Sequence, residues 1–511
     1  MVNGNYPLID KIVAIHGLAL HAKIWYYVGV FTSKDKLMFV GREYYLERLD
    51  ALWRKQVSSL VVISGRRRIG KSTLVEVFAE RAKCRFIEIA GLAPDKNMTN
   101  ERQIGNFCAS LARATGSPEV KADSWPKAFD ALDASLKGRG RTIVFLDEIS
   151  WMGGCDTSFA AYLKNAWDMQ FSQHPRVIFV VAGSVSAWIQ DNILQSKAFV
   201  GRISLDVTLS ELPLSDCRAF WGRKAERTAL REIIDVLSVT GGVPKYLQEI
   251  DPSLPADENV KRMCFTPEGY LFKDFNTIFG DVFGAAAAKR RILVALAGGS
   301  ASVSELAERF GQEPNGHLSE DLRDLIAGGF VASSAGKNPE TGSDIREVRY
   351  RLRDNYTRFY LKFIAPKAEA IREGLFRFVT LDRLPGWDSI MGFQFENLVL
   401  NNLKTLCSLI GLDGRLVTSA APFVRRPGKT TPGVQVDMLV QTPRSVYLVE
   451  IKRRTHISAA IEDEVQEKVR RLRVPRGTSV RTVLVYDGVV APEVEENGYF
   501  DYLVPVESLF K

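Results

Sequence analysis

The sequence predicts an α/β fold for most of its 511 residues. Three apolar runs, at 60–63, 142–146 and 177–182, have the length of buried strands and are separated by longer stretches with helical periodicity. This alternation is typical of a parallel sheet covered by helices. Two further strands are predicted near the C-terminus, at 434–440 and 445–453. We therefore expect two α/β parts with a more helical region between them.

A glycine-rich loop follows the first predicted strand. Residues 65–72 read G-R-R-R-I-G-K-S and match the pattern G-x-x-x-x-G-K-[ST], with a predicted helix at 73–83. Glycines let successive backbone N–H groups point at phosphate oxygens, and the helix adds the positive end of its dipole. Lys71 would contact the β and γ phosphates, and Ser72 would hold Mg²⁺. The residues predicted to bind ATP here are Gly65, Arg66, Arg67, Arg68, Ile69, Gly70, Lys71, Ser72 and Thr73.

The three loop arginines have two interpretations. They form either a solvated basic loop tip or additional contacts to the nucleotide or to a partner. We favour the solvated tip for at least two of Arg66, Arg67 and Arg68.

Polar residues end the next two predicted strands. Asp147 and Glu148 follow 142–146, so Asp147 is predicted to hold the magnesium ion and Glu148 to activate the attacking water. Ser184 follows 177–182 and is a candidate sensor of the γ phosphate. Arg202, before another apolar run, is either a stabiliser of the phosphoryl charge or a structural ion-pair partner.

Together these motifs resemble the archaeal-type ATPases of the STAND class of signalling ATPases. The resemblance covers about residues 38–365 and includes F-V-G-R-E at 39–43 and G-V-P at 242–244, followed by Tyr246. It implies an ATP-driven switch in which nucleotide is held between core and lid, with hydrolysis as the reset and self-association as a common consequence. Because the family begins near Met38, residues 1–37 are expected to be a leader or a mis-assigned start.

The middle of the chain is predicted to be a winged helix. Three helices and two strands are expected between 288 and 352. Glu320, Asp321 and Asp324 lie on the second helix of the expected DNA-reading pair, where they would repel a phosphate backbone. Arginines cluster on the last strand, where they would either touch phosphates or form a solvated strand edge. Those arginines are Arg346, Arg349, Arg351, Arg353 and Arg358.

Several carboxylates and a lysine are predicted to converge near the C-terminus. Glu396 lies on an amphipathic helix at 392–403, Asp437 on one strand, and Glu450 and Lys452 on the next. The i, i+2 spacing places Glu450 and Lys452 on one face of their strand. Carboxylates that bind Mg²⁺, with a lysine beside them, are the groups that metal-assisted phosphodiester hydrolysis requires. The alternative is a surface pair of Glu450 and Lys452.

This pattern resembles the PD-(D/E)xK nuclease family. Val436 stands where that family usually has proline, and Gln466 resembles an auxiliary position. The resemblance implies catalytic roles for Asp437, Glu450 and Lys452 and metal binding by Glu396, Asp437 and Glu450, beside the magnesium ligands Ser72 and Asp147 of the ATP site.

Both resemblances together predict four domains, which follow the leader (1–37) along the chain. They are a P-loop NTPase core (38–212), a helical lid (213–284), a winged helix (285–364) and a restriction-endonuclease-like α/β domain (365–511). The expected function is an ATP-regulated, magnesium-dependent DNA nuclease, as in a defence or mobile-element effector. The alternative is a non-cleaving signalling or assembly ATPase whose C-terminal domain only binds nucleic acid or protein.

Composition is consistent with these expectations. A net charge of +8 and a pI near 9.0 favour an acidic partner such as DNA without requiring one. His16, His21 and Lys23 interrupt the apolar stretch 12–31, which argues against a membrane or signal segment. The cysteines lack C-x-x-C spacing, so no zinc site is predicted and a reducing cytoplasm is expected. They are Cys84, Cys108, Cys155, Cys217, Cys264 and Cys407.

Overall fold

The computed structural model describes residues 30–31, 38–55, 57–138, 140–184, 187–283, 287–377, 380–428 and 432–511. Most of the predicted leader lies outside these residues. At its end, strands β1 (Val30–Phe31) and β2 (Met38–Phe39) pair antiparallel.

A parallel sheet forms the centre of the first part, as the sequence predicts. Its strands lie in the order β4-β5-β6-β3-β7, so the strand before the glycine-rich loop is flanked by β6 and β7. Gly65 at the end of β3 lies opposite Ser184 at the end of β6. The carboxyl ends of these strands therefore meet at one edge of the sheet. The strands are β3 (Ser59–Gly65), β4 (Arg85–Ala90), β5 (Thr142–Asp147), β6 (Val177–Ser184) and β7 (Ile203–Leu209).

Helices cover both faces of this sheet. Alternate residues of β3 point to opposite faces, so Val61 and Ile63 pack with one group of helices while Leu60 and Val62 pack with another. Burial on both faces explains why these strands are continuous apolar runs rather than alternating ones. The helices are α1 (Glu43–Leu52), α2 (Lys71–Ala82), α3 (Asn100–Thr115), α4 (Trp125–Ser135), α5 (Ile149–Gly153), α6 (Phe159–Met169) and α7 (Ala187–Ile189).

A helical region follows the sheet between 214 and 283, and we call it the lid. Its helices are α8 (Leu214–Cys217), α9 (Leu230–Thr240), α10 (Pro244–Leu247), α11 (Ala256–Cys264) and α12 (Tyr270–Phe283). The next unit contains helices and an antiparallel sheet with strand order β8-β10-β9. The short strand β8 is additional to the three helices and two strands expected from the sequence. We call this unit the middle module; its elements are α13 (Ala287–Leu296), β8 (Ala301–Ser302), α14 (Val303–Phe310), α15 (Gly316–Ala327), β9 (Val331–Ser334), β10 (Arg349–Leu352) and α16 (Asn355–Phe359).

A second sheet forms the C-terminal part, with strand order β11-β12-β13-β14-β15. Its first three strands are antiparallel, and β13, β14 and β15 are parallel. Met438 and Val449 pack on the side that shares a core with α18, whereas Leu439 and Leu448 pack with α20. The elements are α17 (Ala368–Arg372), α18 (Trp387–Asn401), α19 (Leu403–Leu409), β11 (Ser419–Arg425), β12 (Val434–Gln441), β13 (Ser445–Ile457), α20 (Ala460–Arg471), β14 (Ser479–Val490), α21 (Pro492–Glu496) and β15 (Tyr502–Pro505).

One hydrophobic core extends from the lid through the middle module into the C-terminal part. It includes Leu237 of the lid, Leu325 of the middle module and Phe395 of α18. Movement of one of these parts would therefore require repacking of the others. Within the described part of the chain, none of the helices is long and apolar enough to cross a membrane.

Short 3₁₀ and π segments complete the chain. They are Phe171–Gln173, Gln190–Leu194, Lys197–Phe199, Arg218–Lys224, Tyr360–Ile364, Ala365–Lys367, Leu381–Arg383, Gly414–Leu416 and Val506–Phe510.

Candidate functional site

The glycine-rich loop has the backbone geometry that its sequence predicts. Gly65 has φ 156°, and a Cβ at this position would lie 2.7 Å from the carbonyl oxygen of Leu209. Gly70 has φ 86° and lies immediately before α2, which begins at Lys71. Positive φ angles favour glycine, so the two glycines let the chain turn sharply between β3 and α2. The loop N–H groups and the start of α2 can then face one anion.

Lys71 folds back over this loop. Its Nζ donates to the carbonyl oxygens of Gly65 at 3.1 Å and of Arg66 at 3.3 Å. Burial lowers the pKa of Lys71, whereas the nearby carboxylates of Glu148 and Asp147 act in the opposite direction. A buried cation held against the loop is in place to meet phosphate oxygens.

Polar groups that follow three neighbouring strands lie together beside Lys71. Ser72 Oγ donates to Asp147 Oδ2 at 2.7 Å, which brings together two oxygen donors of the kind that Mg²⁺ prefers. Glu148 has φ 49°, and its Oε2 accepts from the Ser184 backbone N–H at 3.3 Å. The Ser184 hydroxyl is buried and has no hydrogen-bond partner in the described part of the chain. The donor set fits magnesium and nucleotide phosphate.

Arg202 lies at the other edge of the sheet. Ile203, the first residue of β7, is opposite Leu60 at the start of β3 rather than opposite Gly65. Five residues of strand span roughly 16 Å, so Arg202 is too far to contact a nucleotide in the loop of its own chain. Its guanidinium pairs with Asp168 at 2.6 and 2.8 Å. Of the two interpretations of Arg202, the structure favours the structural ion pair, because the residue does not lie beside the loop.

The loop arginines are not a solvated tip, and that preference was wrong for Arg66 and Arg68. Arg66 is 8% exposed and pairs with Asp354 of the middle module at 2.6 Å. Arg68 pairs with Asp274 of α12 and lies over the Tyr270 ring at 4.9 Å. Arg67 stacks over Trp151 at 4.7 Å. These side chains connect the loop to the lid and to the middle module. No sequence pattern indicated these ion pairs, because the partner residues are distant along the chain.

The G-V-P segment joins the lid to the core. The Gly242 carbonyl accepts from the Leu212 backbone N–H at 2.8 Å, and the Lys245 backbone N–H donates to the Arg68 carbonyl at 3.4 Å. Tyr246 is buried, and its hydroxyl donates to Asp274 at 2.9 Å. The lid therefore contacts the loop through backbone as well as side-chain groups.

We expect Gly242→Ala to loosen this junction. The added Cβ would collide with the Leu212 carbonyl, which is backbone and cannot turn aside. Overpacking of this kind typically lowers the free energy of unfolding by about 1–3 kcal/mol. Urea unfolding with and without ATP would measure it, with Gly105→Ala as the control because a Cβ there meets nothing within 4 Å. Gly105→Ala should be at least as stable as the wild type, because Gly105 lies inside α3. Wild-type stability of Gly242→Ala would contradict the expectation.

The C-terminal carboxylates and lysine also lie together. Glu450 is fully buried, and its Oε1 and Oε2 are 2.7 Å from Lys452 Nζ and 2.6 Å from Lys468 Nζ. Asp437 Oδ2 accepts from the Ile451 backbone N–H at 2.9 Å, which places it beside Glu450. The strand positions predicted from the sequence are those observed.

The electrostatics connect Glu396 to the same group. Burial raises the pKa of Glu396 to about 7, the Asp437 carboxylate adds to this rise, and Arg351 and Arg358 oppose it. Burial and the Glu450 carboxylate raise the pKa of Asp437 to about 6, against the attraction of Lys468 and Lys452. Three mutually repelling carboxylates in a buried place would be stabilised by a cation. Their oxygen donors are chemically suitable for Mg²⁺.

These carboxylates do not form a ready-made metal centre. Across the described ranges, no group of three or more His, Cys, Asp or Glu side chains is spaced to hold a metal ion. Lys452 and Lys468 occupy both oxygens of Glu450. A metal ion would therefore have to displace at least one lysine from Glu450.

Lys468 was missed by the sequence analysis, which singled out Gln466 instead. Gln466 is exposed and accepts from Arg470 at 2.8 Å. Lys468 and Glu464 are four residues apart and share a helix face, from which Lys468 contacts Glu450 and Glu464 contacts Lys452 at 3.4 Å. The i, i+4 spacing was visible in the sequence, but only the packing of α20 shows which face meets β13.

The pKa of Glu396 predicts a pH dependence of stability. A raised folded-state pKa means that the folded protein keeps a proton that the unfolded chain loses, so stability falls as pH rises from about 4.5 to about 7. Glu396→Gln should remove this loss and stabilise the protein at pH 8 by an amount on the order of 2–3 kcal/mol. Urea unfolding in EDTA at pH 5 and pH 8 measures it, with Glu467→Gln on the exposed face of α20 as the control. An unchanged pH profile in Glu396→Gln would contradict this assignment.

Three of the five arginines clustered around β10 are paired within the chain, whereas Arg346 is exposed. Arg349 pairs with Glu305 at 3.1 Å, Arg351 donates to Asn401 at 3.0 Å, and Arg358 donates to Gln394 at 3.0 Å. On the acidic helix α15, Asp321 and Asp324 pair with Lys289. Arg351 and Arg358 therefore contribute to contacts with α18 rather than to a phosphate-binding surface.

Comparisons with known proteins agree with an ATP site at the glycine-rich loop. A family model described as an ATPase domain predominantly from Archaea matches residues 39–250. An uncharacterized protein of Methanocaldococcus jannaschii is 21% identical over 366 residues, which cover 71% of this chain and 76% of that protein. An uncharacterized ATP-binding protein of the same organism is 39% identical over 53 residues, which cover 10% of this chain and 90% of that protein.

Solved structures were also found to be similar. A Walker-type ATPase of Pyrococcus abyssi aligns with a TM-score of 0.46 and 16% identity, covering 63% of this chain and 96% of that chain. The ORC2 protein of Aeropyrum pernix, solved with ADPNP and ADP, aligns with a TM-score of 0.43 and 14% identity, covering 68% of this chain and 96% of that chain. The family match includes the loop, Asp147, Glu148 and Ser184, and it confirms the prediction of an ATPase for this part. Residues 39–250 are therefore similar to the ATPase domain family found predominantly in Archaea.

Proposed function

We propose that this chain is a nucleotide-regulated, magnesium-dependent nuclease in which the ATPase domain controls the C-terminal carboxylate site. The observation that carries the proposal is the meeting of Asp437, Glu450 and Lys452 on adjacent strands, with Glu396 close enough to affect Asp437. A structural surface pair would not need a fully buried glutamate.

The ATPase domain performs the nucleotide chemistry. Lys71 would bind the β and γ phosphates, and Ser72 and Asp147 would hold Mg²⁺. Glu148 would orient the attacking water and accept its proton, while Ser184 would sense the γ phosphate through its unpartnered hydroxyl. Hydrolysis would then reset a STAND-type switch whose nucleotide-bound form self-associates.

At the C-terminal site, Glu396, Asp437 and Glu450 would hold Mg²⁺, which supplies charge neutralisation at the scissile phosphate and a more acidic water. Lys452 would leave Glu450 and place its positive charge on the phosphate. Glu396 would have to lose its proton to hold the ion, so protons and Mg²⁺ should compete at this site and more Mg²⁺ should be needed for activity as pH falls below about 7.

A basic surface beside this site favours nucleic acid as the substrate. Beyond Lys468, the end of α20 and the following loop carry exposed arginines, and Arg425 reaches across to the Arg471 carbonyl. Arg471 is three residues beyond Lys468, about one helical turn, so a phosphate backbone bound there would pass close to Glu450. The exposed arginines are Arg470, Arg471, Arg473 and Arg476.

The middle module is proposed to be a winged helix that regulates and packs rather than reads DNA. Its acidic helix α15 and its internally paired arginines both disfavour groove binding.

A non-cleaving assembly ATPase is the second candidate, and one observation favours it. Lys468 donates a hydrogen bond to Glu450 Oε2, and Lys452 Nζ lies 2.7 Å from Oε1, so two lysines neutralise this buried carboxylate as they would in a purely structural ion pair.

Cleavage of supercoiled plasmid and of single-stranded DNA by the purified chain would distinguish the two functions. Each substrate is incubated with Mg²⁺ or EDTA, with and without ATP. Cleavage that needs Mg²⁺ and changes with ATP is the expected result. ATP hydrolysis without cleavage of either substrate would support the assembly ATPase.

A further inference from the structure

Arg66 connects the ATP-binding loop to the middle module. Its side chain is directed away from the loop, passes close to the backbone at Gly329, and lies over the Phe330 ring at 5.8 Å. Its guanidinium is 2.6 Å from Asp354 and 3.5 Å from Glu211. A buried ion pair costs desolvation energy that a merely packed side chain would avoid, so its position at the ATP loop needs an explanation.

Asp354 has two simultaneous contacts. One carboxylate oxygen accepts from Arg66, and the other accepts from the backbone N–H of Thr357 at 3.0 Å and from its hydroxyl. Asp354 is therefore the N-cap of α16, which begins at Asn355. A change in the pairing of Arg66 would act directly on the start of that helix.

Helix α16 is in turn bonded to α18 of the C-terminal part. Asn355 and Gln394 exchange hydrogen bonds through their side-chain amides and backbone carbonyls, at 3.2 and 2.8 Å. Arg358 donates to Gln394 Oε1 at 3.0 Å, and Asn397 donates to Asn355 at 3.0 Å. All four of these side chains are buried.

The last step leads to the carboxylate site. Glu396 lies on α18 between Gln394 and Asn397, and its acidity depends on the guanidinium groups of Arg351 and Arg358. Contacts run from Arg66 through Asp354, Asn355 and Arg358 to Gln394, and Gln394 lies two residues before Glu396 on α18. We call these residues the relay.

We propose that the relay couples nucleotide binding at the loop to the position of Glu396, because the backbone of Arg66 is part of the phosphate-binding loop and a change of loop conformation on ATP binding would move its guanidinium relative to Asp354. This inference rests on the proposed function for what the C-terminal site does, but not for whether the two sites communicate. ATP can shift the relay only by its preference for one of the two Arg66 arrangements. Weakening of the Arg66–Asp354 pair would release the cap of α16 and loosen its contacts with α18.

Hydrogen exchange of the full chain tests the relay without DNA. Peptides from 65–73, 351–360 and 387–401 are compared with and without a non-hydrolysable ATP analogue and Mg²⁺. We expect the analogue to protect 65–73 and to raise exchange at least twofold in 351–360 and 387–401. In Asp354→Asn the analogue should still protect 65–73 and leave 387–401 unchanged.

A matched control is Asp168→Asn, which breaks the Arg202 pair at the other edge of the same sheet and should keep the full response. Arg358→Lys keeps the charge but loses the planar contacts to Gln394 and Leu352, and it serves if Asp354→Asn does not fold. In the wild type, protection of 65–73 by the analogue without increased exchange at 387–401 would overturn the relay. A response of the wild-type size in both Asp354→Asn and Arg358→Lys would also overturn it. A failure to detect DNA cleavage would refute only the proposed nuclease function, because the hydrogen-exchange measurement contains no DNA.

Discussion

Lys71→Ala should abolish ATP hydrolysis and most ATP binding. Lys71 is the buried cation proposed to bind the phosphates, and no other lysine side chain of the described residues contacts the loop carbonyls. A hydrogen bond to a charged group contributes about 1.5–3 kcal/mol. Loss of the two proposed contacts of Lys71, one to the β and one to the γ phosphate, therefore predicts at least a 100-fold fall in ATP affinity and hydrolysis rate. Phosphate release and binding of a fluorescent ATP analogue measure the two effects.

Glu148→Gln separates binding from hydrolysis in the same site. The amide keeps the shape of the side chain but cannot accept a proton, so hydrolysis should fall by about 10²–10⁴-fold while binding persists. ATP at 100 times its Kd stabilises a binding-competent protein by about 2.7 kcal/mol, so ATP should raise the Tm of Glu148→Gln but not of Lys71→Ala. Wild-type hydrolysis by Lys71→Ala would show that the loop is not the ATPase site.

Lys452→Ala should abolish magnesium-dependent DNA cleavage while leaving ATP hydrolysis unchanged. Lys452 Nζ lies 2.7 Å from Glu450, at the point where the scissile phosphate would approach. Removal of one group that stabilises transition-state charge typically costs about 10²–10³-fold in rate. The measurement is nicking of supercoiled plasmid at pH 8, where Glu396 is deprotonated, with ATP hydrolysis assayed on the same samples.

Arg481→Ala is the matched control for this variant. Arg481 is a cation of the same sheet that pairs with Asp501 at 2.7 Å, and it lies opposite Tyr447 rather than opposite Glu450. Its removal should not affect cleavage. Cleavage by Lys452→Ala at the wild-type rate would rule out the proposed role of this lysine.

The local motifs could be predicted because their chemistry lies within a few neighbouring residues. A strand, a loop with two glycines and a helix place Lys71 and Ser72 whatever else surrounds them. Asp147 and Ser184 could be placed because parallel strands end at one edge of a sheet, and their own strands were clear in the sequence. The C-terminal set followed in the same way, since the period of a strand places Glu450 and Lys452 on one face.

The sequence was least informative for residues whose partners lie far away in the chain. It left two interpretations of Arg202 open, because the order of motifs does not show which end of the sheet this residue lies at, whereas the register with β3 places it at the end opposite the loop. It did not identify Lys468, because the sequence does not show how α20 is rotated against β13. The loop arginines were taken as solvated because Asp354 follows Arg66 by 288 residues.

The amino-acid sequence by itself determined the ATP loop, its carboxylates, the order of helices and strands, and the residue types of the C-terminal cluster. These features depend on backbone conformation and on the period of side chains along one element. Tertiary structure alone decided that Arg66 and Arg68 join the loop to the rest of the chain, that two lysines neutralise Glu450, and that Glu396 is held beside Asp437. The reason is that ion pairs, burial and pKa depend on which surfaces pack together, and packing brings together side chains that no local pattern relates.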